Sequence, residues 1–229
     1  MSQTALKHQA EIERFAKQIF GDKPGEELRR HIDVVARLHV GQCYGKLPYT
    51  VHLFSVARIA TMSLLPTVSS VRDVLTLFAL YHDAVEDTGL TLDSFIKSFD
   101  DLDASCKLFV RTVMDLLTDG EGETRKERKA ALKMKWDRAR KKSLSSSVVL
   151  SALEVAAQVK MADRLSHLEH IHSVLSDKAG IFSKDDTKRA KKFLKMYRKE
   201  HEGFLATVSP HDHPLKRKLE KFMFKLSST

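Results

Sequence analysis

Residues 75–89 read Leu75-Thr76-Leu77-Phe78-Ala79-Leu80-Tyr81-His82-Asp83-Ala84-Val85-Glu86-Asp87-Thr88-Gly89. From residue 71 to Tyr81 the chain is apolar almost all round, the pattern of a helix buried on every side. It then closes on one histidine and three carboxylates. The spacing predicts a helix over 71–88, with His82 and Glu86 on one face and Asp83 and Asp87 on another, each pair one turn apart. Gly89 is expected to supply the left-handed residue that stops it. The carboxylates would then stand at the negative end of the helix dipole, at a cost of roughly 0.3–1 kcal/mol each. A divalent cation would offset that cost and their mutual repulsion. Neighbouring His and Asp suit manganese, iron or zinc. The plainer alternative is a capped helix end with solvated acids. The apolar run leading into these acids argues against it, because it holds them near the core.

On either side of this segment the helical period recurs. Ile12, Phe15, Ala16, Ile19 and Phe20 mark a helix over 5–20, and Leu28, Ile32, Val35 and Leu38 mark a second. Residues 39–48, with two glycines and a proline, read as a loop. Val51, Phe54, Val56, Ile59 and Leu64 predict a helix over 50–65 that ends at Pro66. Further helices are expected over 101–118, 125–142, 148–175 and 185–206. Asp119-Gly120-Glu121-Gly122-Glu123 separates two of them, and Ser143–Ser147 another two. No alternating run of strand length and no internal repeat is present. With only 9 Gly and 5 Pro in 229 residues, long helices on short loops fit better than a turn-dense β fold. The expectation is all-α: a helix over 1–24, one domain over 25–206 and a basic amphipathic tail over 207–229.

Composition narrows the function classes. An apolar share of 42% excludes wholesale disorder. No run approaches the roughly 18 apolar residues of a membrane span. The first residues lack a basic region followed by an apolar one, so no secretory leader is expected. Two cysteines, Cys43 and Cys106, cannot build a disulfide framework and read as reduced thiols, which suggests a cytoplasmic setting. The net charge of +9 points to an anionic partner without choosing among nucleotide, nucleic acid and membrane surface. In the tail, Lys216, Arg217, Lys218, Lys221 and Lys225 surround Leu215, Leu219, Phe222 and Phe224. That pattern fits a terminal helix docking an apolar edge, or a basic segment touching nucleic acid or a membrane surface. His211 and His213 could ligate a metal, although isolated histidines in a tail more often bind nothing.

His82 and Asp83 are too few for a closed metal site. His52 lies at an otherwise apolar helix start, and Asp163 lies inside the apolar run Val159-Lys160-Met161-Ala162-Asp163-Arg164-Leu165. Singly, His52 fits a satisfied core histidine and Asp163 an ion-pair partner of Lys160 or Arg164. Together they form an ordered series: His52, His82-Asp83, Asp163.

That order resembles the HD superfamily of metal-dependent phosphohydrolases. His39-Val40-Gly41-Gln42 followed by Pro48-Tyr49 and His52 is similar to the opening motif of the guanosine polyphosphate hydrolase branch. His82-Asp83-Ala84-Val85-Glu86-Asp87-Thr88 is similar to its metal and catalytic helix, and Val159–Leu165 to its last ligand helix. The resemblance covers about residues 25–205. It implies an all-α bundle holding one divalent ion, commonly manganese, with iron, zinc or magnesium as alternatives. His52, His82, Asp83 and Asp163 match the ligand positions. Glu86 and Asp87 match the pair that positions and activates the attacking water. Lys160 and Arg164 would face substrate phosphates, with surface ion pairing as their alternative, and Tyr49 is a further substrate contact. The chain departs from the branch in two places. Lys46, the expected phosphate contact, is the only charge where the branch carries an arginine, and His167, a further expected substrate contact, stands where it carries an asparagine that helps hold the nucleotide. Guanosine tetraphosphate is therefore one candidate substrate among phosphorylated nucleotides, beside deoxynucleotides, cyclic nucleotides and dinucleotide cofactors. Thr124-Arg125-Lys126-Glu127-Arg128-Lys129 opens a helix, so Arg125 and Arg128 are further phosphate contacts or a solvated face. A second hypothesis is an HD module that binds a nucleotide or RNA without turnover. The intact Glu86-Asp87 pair favours the enzyme.

Overall fold

The long helix at the centre of the molecule, Ser147–Leu175, is the element around which the others pack. This computed structural model describes residues 3–62, 69–99, 101–209 and 213–227. In chain order the elements are α1 (Gln3–Phe20), α2 (Pro24–Leu38), β1 (Cys43–Tyr44), β2 (Leu47–Pro48), α3 (Thr50–Thr61), α4 (Ser69–Tyr81), α5 (Ala84–Asp87) and α6 (Leu92–Lys97). There follow α7 (Ala104–Leu117), α8 (Arg125–Ser143), α9 (Ser147–Leu175), α10 (Lys184–Val208) and α11 (Pro214–Ser227). Helix α9 packs against α3, α7, α8, α10 and α11, while α4 packs against α1, α2 and α3. One apolar core runs through all of them. The all-α expectation holds.

Local chemistry sets the boundaries. Thr124 and Ser183 each cap a helix through a reciprocal box with Glu127 and Asp186, so two otherwise unpaired donors are satisfied at each start. Ser146 caps α9 by accepting from Val149 N. Asp103 caps α7 and also accepts from Arg14 and Gln18 of α1, which fastens the first helix to the body. The five apolar positions expected on α1 are all buried. The tail forms α11, and Leu215, Leu219, Met223 and Leu226 are buried, with the helix packed on α9. The docking alternative for the tail is the one observed. Pro66, Pro210 and His211 lie outside the described residues.

Several expectations need correction. The helix expected over 71–88 is broken: α4 stops at Tyr81, and a turn through His82 and Asp83 leads into the short α5. The His82 ring bonds the Ala79 carbonyl at 2.7 Å, and Asp83 leaves helical geometry with φ −104° and ψ −3°. Glu86 and Asp87 therefore lie in the first turn of a new helix, not at the negative end of a long dipole. Gly89 is not left-handed; the chain leaves α5 through an extended Thr88. On α3 the buried stripe is His52, Leu53, Val56, Ala57, Ile59 and Ala60, while Val51 and Phe54 face outward. Helix α6 was not anticipated. Within the expected 39–48 loop, β1 and β2 pair as a two-residue antiparallel hairpin, with Gly45 at φ +63° in its turn.

Candidate metal centre

Three elements converge on one point in the core. Helix α3 brings His52, the α4–α5 turn brings His82 and Asp83, and α9 brings Asp163 and His167. His52 Nε2 lies 3.3 Å from Asp163 Oδ1 and 3.7 Å from Asp83 Oδ2. His82 Nε2 lies 2.9 Å from Asp83 Oδ2 and 3.7 Å from Asp163 Oδ1. His52, His82 and Asp83 form one group of ligand atoms all within 4.8 Å of one another, and His52, Asp163 and His167 form a second. The four residues expected as ligands are brought together.

The far sides of the imidazoles are already committed. His82 Nδ1 donates to the Ala79 carbonyl at 2.7 Å, and His52 Nδ1 meets Ser166 Oγ at 3.2 Å. Such partners orient a ligating imidazole and aim Nε2 at the metal. The near sides lack hydrogen-bond partners: His52 Nε2, His82 Nε2 and Asp163 Oδ1 are all buried without one. A buried polar atom left unpaired costs about 1–3 kcal/mol. Three such atoms facing one another fit a cation, and two or three imidazoles with two carboxylates suit a divalent transition ion.

The charges agree. Burial opposes ionisation of Asp163, yet His167, His52 and His82 outweigh it and hold the carboxyl well below its usual range. Asp83 is likewise held down, against burial, by His82 and by the Tyr49 hydroxyl. Burial lowers His52 against the pull of Asp163, which favours the neutral imidazole that a metal needs. His82 is raised to about 10, since Asp83 and Asp163 outweigh its burial. The same two carboxylates that raise it would attract a divalent cation to that point in place of a proton.

The hairpin closes one side. Tyr49 Oη donates to Asp83 Oδ2 at 2.5 Å and to Asp87 Oδ2 at 3.3 Å. His39 stacks on Tyr49 with centroids 4.9 Å apart and bonds Gln42 at 2.7 Å, while Gln42 Nε2 donates to the Asp87 carbonyl at 2.6 Å. The opening motif therefore braces Tyr49 and Asp87. Tyr44 stacks on His52 at 4.6 Å and meets His167 Nδ1 at 2.9 Å. His167, expected among substrate contacts, has its Nε2 3.2 Å from Asp163 Oδ1 and belongs to the cluster itself. Asp163 and His167 stand four apart, and that spacing, which puts both on one helix face, is the signal that could have placed His167 in the cluster. Tyr44 and Ser166 carried no comparable signal, because each acts through an imidazole brought from another element.

A cavity of about 590 Å³ opens from the cluster, lined among others by Asp83, Glu86, Asp163, Lys160, Arg164 and Glu200. Glu86 Oε1 accepts from Asp119 N at 2.5 Å and lies 4.0 Å from Lys160 Nζ, with 25% of its side chain exposed. Burial raises its pKa to about 7; Lys160 pulls it back, and Asp119 and Asp83 add to the rise. Lys160 is buried, yet Glu86, Asp163 and Asp83 outweigh desolvation and keep it charged. Arg125 reaches the cavity but is held by Glu200 at 3.1 Å. Two expected phosphate contacts point elsewhere. Lys46 Nζ donates to the Ile181 carbonyl at 3.0 Å, and Arg128 turns back to the Glu123 carbonyl at 3.2 Å. Neither lines the cavity.

The cysteines, exposed Cys43 and buried Cys106, are free thiols. Among the described residues no helix is long and apolar enough to cross a membrane. Comparison with family models and with curated proteins finds no match to this chain, so the site's own geometry carries the functional argument.

Proposed function

We propose that this chain is a divalent-metal phosphohydrolase of HD type, acting on a small phosphorylated nucleotide by attack of water on a phosphoester or pyrophosphate bond. The observation that carries the proposal is the facing of His52 Nε2, His82 Nε2 and Asp163 Oδ1, buried and without hydrogen-bond partners, beside a cavity that also holds Glu86. His52, His82, Asp83 and Asp163 would hold the ion, with His167 beside them. When bound, a divalent ion supplies Lewis acidity that acidifies water and offsets phosphate charge.

The protein's own groups supply the rest. Glu86, raised to about 7, is poised to accept a proton from water near neutral pH. The Asp119 amide fixes the Glu86 carboxylate in position. Lys160, buried and charged, faces the same cavity and can meet phosphate oxygens. Asp87, braced by Gln42 and Tyr49, sits at the hairpin side and does not line the cavity. Its role is to orient Tyr49 rather than to take the proton.

The test is metal analysis followed by turnover. Purified protein should retain about one divalent ion per chain. The manganese-loaded protein should release phosphate or pyrophosphate from at least one member of a panel covering guanosine tetraphosphate, deoxynucleotides, cyclic nucleotides and dinucleotide cofactors. An ion-free protein with no turnover on that panel would refute the proposal.

A further inference from the structure

We infer that Arg164, Arg125 and Lys129, arranged around Glu200, form a second anion subsite in the cavity wall for a phosphate or pyrophosphate group, and that Glu200 is an internal anion which this group displaces. The inference rests on the phosphohydrolase proposal only for the identity of the molecule that carries the group.

Arg164 is the anchor. Its guanidinium is sandwiched between Tyr197 and Phe204, 4.2 and 4.3 Å from their ring centroids. It is 8% exposed, yet its Nη1 has no hydrogen-bond partner. Its Nη2 is 4.0 Å from Glu200 Oε2, beyond hydrogen-bond range. The protein has thus buried and oriented a permanently charged fork and left one of its donors, Nη1, unmatched. Desolvating a charged donor without a partner is costly, and a ligand acceptor removes that cost.

Glu200 shows which ligand fits. It accepts two bonds from Arg125 at 3.1 Å each and contacts Lys129. Burial opposes its charge, but Arg125 and Lys129 prevail and keep it ionised. Three cations therefore face one carboxylate, an excess of two positive charges. Another monoanion gains little over Glu200. A phosphate or pyrophosphate brings at least two charges and enough oxygens to serve both guanidinium forks. Glu200 thereby favours polyanionic ligands over carboxylates and neutral sugars.

The experiment titrates inorganic pyrophosphate into the full chain by calorimetry. It compares wild type with Glu200→Gln and Arg164→Gln at low and high salt, with melting curves for each. Removing the resident negative charge should tighten binding about tenfold and steepen its salt dependence. Arg164→Gln should weaken binding about tenfold or more. A folded Glu200→Gln protein that binds no more tightly than wild type overturns the inference, as does a folded Arg164→Gln protein that binds equally well. If Glu200→Gln fails to fold, Arg164→Gln and Arg125→Gln decide, both being expected to weaken binding. Metal content of the same samples tests the metal centre separately. The order of pyrophosphate affinities tests the subsite whether or not an ion is found.

Discussion

Tyr49 Oη sits 2.5 Å from Asp83 Oδ2 and 3.3 Å from Asp87 Oδ2, so a single phenol just after the hairpin ties Asp83 of the α4–α5 turn to Asp87 of α5. Burial and the charge of Asp83 push that phenol far above its usual range, so it remains a donor throughout the working pH. A carboxylate that already accepts a hydrogen bond is fixed in direction, which matters most when it must ligate a metal. Tyr49→Phe removes the bond and keeps the ring that stacks on His39. Metal affinity should fall about 10-fold or more. Competition with a chromophoric chelator measures this, and unchanged affinity would remove Tyr49 from the supporting shell.

Metal binding should also appear in stability. A ligand that binds only the folded chain stabilises it by about 2.7 kcal/mol at a hundredfold excess over Kd. Adding manganese to chelator-treated wild type should therefore raise its Tm by several degrees. Asp163→Ala removes the carboxylate that three imidazoles surround. That variant should melt at the same temperature with and without metal. A preserved shift would mean that the ion binds elsewhere.

The ligand set was legible because each ligand breaks its apolar surroundings: His52 on α3, His82-Asp83 after the Leu75–Tyr81 run, and Asp163 within α9. The break at His82 was not legible. Apolar periodicity runs smoothly into it, and the competing force is a side-chain bond to the Ala79 carbonyl, which no pattern of residue types displays. Lys46 and Arg128 were assigned by charge and neighbourhood. The connection between α9 and α10 gives Lys46 the Ile181 carbonyl, and the Gly122–Glu123 loop gives Arg128 its own carbonyls instead. Glu200 went unnoticed because it reads as one more acid on a charged helix. Only the fold sets it against Arg125, Lys129 and Arg164.

Glu86 should govern the pH profile. Its pKa is raised to about 7, chiefly by burial, so its basic form is depleted at mildly acid pH. The rate should rise with pH and level off near or below pH 7, because a nearby divalent cation would lower the Glu86 pKa from that value. Glu86→Gln should keep the metal, lose the inflection and slow turnover about 10²–10⁴-fold. Steady-state rates across pH 5–9, with metal content measured on the same samples, check this. Loss of metal from the variant would contradict a proton-accepting role.

Gly120 has a packing reason to be glycine. A Cβ there would lie 2.5 Å from Ala131 Cβ and Leu132 N, and would also strike the Arg128 carbonyl. Two of those atoms are α8 backbone, which cannot swing aside. Gly120→Ala must push the 119–122 loop off the helix, at a cost of about 1–3 kcal/mol. The neighbouring Asp119 amide would then leave Glu86. Thermal melts should show the destabilisation, and turnover should fall further than the melt alone explains. A variant with wild-type Tm and rate would show that the loop is free to adjust.

Helix α11 offers a choice between packing and charge as the purpose of the C-terminal segment. Leu219 is fully buried at 0% exposure where α11 meets α9, whereas Lys221 is exposed. If the segment serves as a docked wall of the fold, Leu219→Ala leaves a cavity and costs about 2–5 kcal/mol. Lys221→Gln then changes stability by less than about 0.5 kcal/mol. If the segment were instead a basic arm that swings free to reach an anionic surface, the leucine would be expendable to the fold. Denaturant unfolding of the two variants separates these cases. A large loss for Leu219→Ala with none for Lys221→Gln is expected. Equal, small effects from both would show that α11 does not belong to the core.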